Sequence, residues 1–101
     1  MEQIEQITKM EGHLDEAIAI IKEFSEVFDR YEQCLERIGE LSEYYGSKDW
    51  FQDMEDYDTG KLPKSLKCGV LSEDLVYNML IDNRELAIRM LEIGTKVIKK
   101  C

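Results

Sequence analysis

A chain of 101 residues with 44% apolar and 35% charged side chains has room for one domain and one modest core, not two. The net charge of −9 is uneven: residues 1–58 hold 17 acidic against 5 basic side chains, and residues 59–101 hold 5 against 8. An acidic first half is the wrong surface for a phosphate backbone or an anionic membrane, so nucleic acid and membrane are excluded as partners.

Between Ile7 and Tyr45 apolar residues recur in steps of three and four. One series is Ile7, Leu14, Ile21, Phe28 and Leu35, broken only at Ser42. Its companion is Met10, Ala17, Phe24, Tyr31, Ile38 and Tyr45. Five heptads of this kind predict a long N-terminal helix. Additional apolar residues (Ile18, Ile20, Val27, Cys34 and Leu41) widen the stripe beyond a two-stranded seam and suit packing in a bundle. Gly12 and Gly39 each weaken the helix by about 1 kcal/mol relative to alanine, which leaves a kink near Gly12 open. Unbroken, residues 3–45 span roughly 65 Å.

The stretch YYGSKDWFQDMEDYDTG, residues 44–60, gathers five of the nine aromatics beside a run of acidic residues. Gly46 suits the left-handed residue that ends a helix, Ser47 suits an N-cap, and Asp49 suits the first turn of the next helix. Over about 48–57, Trp50, Met54 and Tyr57 share one helical face and Asp49, Asp53 and Asp56 the other. The expectation is a short amphipathic helix after a sharp reversal, its aromatics folded onto the first helix. Asp58-Thr59-Gly60 reads as a turn. The connector KLPKSLKCG follows, anchored by Leu62 and Leu66, with Pro63 favouring extended geometry before it.

A last long helix is predicted over about 73–99, with Ser72 as N-cap and Glu73 and Asp74 in its first turn. Its apolar residues come in adjacent pairs, 75/76, 79/80, 86/87, 90/91 and 97/98, with IDNRE where a further pair is due. Asn83 there is either a register-setting polar residue or the mark of a bend, and the first is favoured. The predicted fold is therefore all-α, a single domain over 1–101. Two long helices form an antiparallel hairpin or bundle, joined through the short one.

Catalytic equipment is sparse. His13 is the one histidine, beside Gly12 on an acidic helix and without a nucleophile or orienting partner in its pattern. Cys34, Cys68 and Cys101 are odd in number and lack C-x-x-C spacing, which suits reduced thiols in a cytoplasmic protein. The start has no basic, apolar leader, and no window is apolar enough to span a membrane. No enzyme activity and no cofactor are expected.

Asp49, Asp53 and Asp56 are the candidates for a divalent cation, but no calcium-loop spacing accompanies them, and a solvated face is the favoured account of them. Lys61, Lys64 and Lys67 precede a helix start that could attract an anion. Glu73 and Asp74 already occupy that positive end.

The preferred functional expectation is a non-enzymatic helical module working through protein contacts, with a homodimer the simplest case. Such a dimer would cover the apolar stripe left over where the first helix outruns the last. The alternative is a small-molecule or ion binder at the corner formed by Tyr44, Tyr45, Trp50, Phe51 and Tyr57.

The segments YYGSKDW, GKLPKSLKCGVLSEDLVYNML and NRELAIRMLEIGTKV resemble a family of bacterial proteins, domain of unknown function family 4298, over nearly the whole chain. The resemblance implies a compact helical protein of the bacterial cytoplasm. It implies no activity, cofactor or catalytic residue.

Overall fold

A computed structural model describes residues 1–101, and it is helical with no strand. Helix α1 runs Glu2–Tyr44, α2 runs Lys48–Asp58, and α3 runs Leu75–Lys100, with one 3₁₀ turn at Gly69–Leu71. This is the expected all-α order of long, short and long helices. The chain divides into two compact units, Met1–Glu36 and Arg37–Cys101.

The first unit is helix alone. Gly12 does not interrupt it, because a continuous apolar and long-chain sequence on either side outweighs one glycine. Every residue from Met1 to Arg30 is exposed, and α1 contains no buried residue. The apolar stripe of this stretch is therefore open.

The second unit begins with the last turns of α1. Gly46 takes φ +81°, a left-handed value costly for any residue with a Cβ, and the Ser47 amide returns to the Tyr44 carbonyl at 2.9 Å. Ser47 then caps α2, its Oγ accepting from the Trp50 amide at 3.2 Å. The other end of α2 closes with a paired hydrogen-bond motif. The Gly60 amide donates to Tyr57 O at 3.2 Å and the Lys61 amide to Asp56 O at 2.9 Å, with Gly60 at φ +76°.

The last helix starts two residues later than the sequence suggests. Ser72 Oγ accepts from the Leu75 amide at 3.1 Å, but the N-cap position falls on Asp74, whose side chain makes no capping bond, and not on Ser72. The Glu73 carbonyl, however, accepts from the Tyr45 hydroxyl at 2.9 Å. The backbone ladder instead opens with Asn78 N–H to Asp74 O at 2.8 Å.

Helix α3 then passes through IDNRE without a break, so the possible bend is absent. In the pairs 75/76, 86/87 and 90/91 one member faces inward, whereas Met79 and Leu80 are both half-buried and Val97 and Ile98 are both exposed. Val76 is buried, and Leu80, Asn83, Ala87, Met90 and Gly94 are half-buried, a 4-3-4-3-4 row that places Asn83 on the inner face. Leu75, Leu86, Leu91 and Ile98 stay exposed. The row follows a seven-residue rather than an eleven-residue repeat.

The core consists of Trp50, Leu71 and Val76. Leu71, in the 3₁₀ turn, anchors the connector. Of the expected anchors, Leu62 is half-buried and Leu66 is exposed.

Candidate functional site

The five corner aromatics divide into three that are locked and two that are open. Trp50 is 5% exposed. Its indole edge meets Tyr45 at a centroid distance of 4.9 Å and Phe51 at 5.1 Å, both edge-on, the arrangement aromatic quadrupoles favour. Its Nε1–H donates to the Val70 carbonyl at 2.9 Å, pinning α2 to the connector. Sequence reasoning placed the aromatics against the first helix. Trp50 does meet Tyr45 at that helix's end, and the connector supplies its polar partner.

Tyr44 and Tyr45 are half-buried. The Tyr44 hydroxyl donates to Asp53 Oδ2 at 2.6 Å, a short bond to a charged acceptor. Partial burial first, then that hydrogen bond and the charges of Asp53 and Asp49, push the Tyr44 phenol up to about 12. Tyr45 spends its hydroxyl on Glu73 O. The corner's indole and these two hydroxyls are thus committed to acceptors of the same chain. Phe51 and Tyr57 are 60% and 52% exposed and contribute ring surface to solvent.

The acidic face does not gather. Asp53 is engaged by Tyr44, and Asp56 accepts from Gln52 Nε2 at 3.0 Å with Lys61 Nζ at 3.9 Å. No group of three or more histidine, cysteine, aspartate or glutamate side chains is placed to hold a metal ion. The Lys61 contact is long and its ammonium largely exposed, so it contributes little. The three cysteines are free thiols, Cys34 and Cys68 half-buried and Cys101 exposed. His13 is exposed on α1.

Two hollows adjoin the corner. One, of about 720 Å³, is an open groove along the connector past Leu62, Pro63 and Cys68, and of the five aromatics only Tyr57 lines it. The other, about 450 Å³, is apolar, bordered by Leu41, Val70, Leu75, Val76 and Met79. The first mixes apolar residues with Asp58, Lys64 and Ser72, and the second has Lys67 as its one charged border.

The larger feature lies elsewhere, and the heptad pattern was its signal. Nine large apolar side chains between Ile7 and Phe28 are 43–68% exposed. Phe24 and Phe28 stack at 6.0 Å within this stretch. Isolated exposed apolar residues are ordinary; a row of nine along one helix is not. No helix is long and apolar enough to cross a membrane.

No curated protein matches the sequence. A family profile does match it across residues 7–93, from the open seam of α1 through the aromatic corner and most of α3, and the chain accordingly belongs to the domain of unknown function family DUF4298.

Proposed function

We propose that the protein is a non-enzymatic helical contact module whose working surface is the exposed apolar face of α1, and whose partner is a second copy of the chain. The single observation behind this reading is the row of large side chains from Ile7 to Phe28 that nothing in the chain covers. Nine such groups, each about half exposed, leave on the order of 700 Å² of apolar surface, close to the roughly 800 Å² per partner of a standard interface. At about 25 cal/mol per Å², covering that face on two copies is favourable by roughly 35 kcal/mol before the costs of association and side-chain ordering, ample to sustain a dimer.

Charge supports the same occupant. The α1 carboxylates Asp15, Glu16, Glu23, Glu26 and Asp29 all stand off the heptad rows, so two such helices can meet without opposing their charges. The corner offers a small ligand less, since its strongest donors already have acceptors.

Sedimentation velocity across micromolar to submillimolar concentration tests the reading. The wild-type chain sediments as a dimer. Ile21→Glu, at a position 68% exposed and so harmless to the lone chain, weakens the dimer at least about 100-fold, the equivalent of roughly 2.7 kcal/mol. A wild-type chain that stays monomeric over the whole range overturns it.

A further inference from the structure

We infer that the two copies pair through α1 in antiparallel orientation, about a two-fold axis at the level of Ala19, an inference that rests on the self-association proposed above. The free part of the seam has definite limits. The heptad rows continue to Leu35 and Tyr45, and Leu35 is still 46% exposed, but the companion row is half-buried at Tyr31, Ile38 and Tyr45, whereas everything before Tyr31 is exposed. The available knobs are Ile7, Leu14, Ile21 and Phe28 on one row, and Met10, Ala17 and Phe24 on the other.

Size decides the orientation. Parallel pairing sets each residue against its own copy. Phe24 then meets Phe24 and Phe28 meets Phe28, two overfilled layers, while Ala17 faces Ala17 and leaves a void. Close-packed interiors tolerate neither. Antiparallel pairing brings one row against the other. With the axis at Ala19, Phe28 lies opposite Met10 of the second copy, Phe24 opposite Leu14, and Ile21 opposite Ala17. Every layer then combines a larger with a smaller or more pliable side chain, and the six layers use up the free seam from Met10 to Phe28.

The flanking positions agree. Antiparallel helices set like flanks together, which places Ile18 beside Ile18 and Ile20 beside Ile20 at the axis, all of them more than half exposed in the single chain. Outward from there Glu11 neighbours Ser25, and His13 neighbours Val27, so no like charges meet. Parallel pairing instead puts Val27 beside Glu32 and Ile20 beside Ser25, leaving those aliphatic groups against polar ones. The opposed helix dipoles add a small favourable term to the antiparallel arrangement.

Thiol cross-linking reads the orientation. In a background with Cys34, Cys68 and Cys101 replaced by alanine and with the wild-type helical spectrum, Ile20→Cys couples to its own copy through a short bis-maleimide. Ile7→Cys does not, because the two Ile7 positions then stand roughly 36 Å apart at 1.5 Å per residue. Mixing Met10→Cys with Phe28→Cys chains gives the heterodimer. Self-coupling of Ile7→Cys overturns the inference while a sedimenting dimer keeps the self-association reading; a monomeric wild-type chain overturns both. Should the alanine background lose helix, amide exchange on the wild-type chain serves instead. Concentration-dependent protection centred on Ala19 supports the pairing, and protection rising steadily toward Tyr31 refutes it.

Discussion

Trp50→Phe isolates what one indole does for the corner. The phenyl ring keeps an edge for Tyr45 and Phe51 but loses the Nε1–H bond to Val70 O at 2.9 Å. Val70 is 40% exposed, so its released carbonyl can turn to water, and the lost bond costs about 1 kcal/mol, the lower part of the usual range. Shrinking a ring that is 5% exposed leaves a partial void worth another 1–2 kcal/mol or so. The sum, about 2–3 kcal/mol, lowers the melting temperature of a domain this size by roughly 10–20 °C. Thermal melts followed by far-UV circular dichroism measure it, with Phe51→Ala as the control. Phe51 is 60% exposed but meets Trp50 edge-on, so its loss costs about 1 kcal/mol, less than that of the indole. A Trp50→Phe protein that melts with the wild type would show that the indole does not hold the connector to α2, and the account of the corner would fail.

Gly60→Ala forces a Cβ into a φ of +76° and costs about 1 kcal/mol, read as a lower denaturation midpoint with unchanged m-value; no loss would mean the α2 terminus does not hold this closing motif. Tyr44 gives a pH signature. Its folded pKa of about 12 exceeds the ordinary 10.0, so the native state holds that proton more tightly. The resulting stabilisation is complete below pH 10 and is lost as pH rises through about 12. Ultraviolet titration should show one tyrosine ionising late, and Tyr44→Phe should remove that late step and flatten the alkaline loss of stability.

What could be read in the residues was whatever depends on local chemistry. Gly46, Ser47 and Thr59-Gly60 punctuate the chain as expected, because a left-handed residue and a capping oxygen are needed wherever a helix turns or starts. The partners of the corner were not readable. Val70 and Glu73 act through their carbonyls, which every residue carries, so nothing in the side-chain pattern names them as acceptors for Trp50 and Tyr45. Paired apolar residues in α3 likewise left open which member would be covered, because adjacent residues sit only 100° apart around a helix and tertiary contacts choose between them.

The distribution of burial constrains the function more than any single motif. All three buried side chains, Trp50, Leu71 and Val76, lie in Arg37–Cys101, and Met1–Glu36 has none. Ordering a backbone residue costs about 1–2 kcal/mol, and hydrogen bonding within a helix only partly offsets this in water. A helical stretch without tertiary cover is therefore marginal, the more so with Gly12 inside it. Yet that stretch repeats large apolar residues through its heptads at positions where polar ones would serve a lone solvated helix better. The proposed second copy, by covering the row, supplies the missing stabilisation. By mass action, a partner present at 100 times its dissociation constant adds about 2.7 kcal/mol. Under the proposed pairing, the helicity of residues 1–36 and their association form one equilibrium, in which the face that makes the segment fold is the face by which it binds.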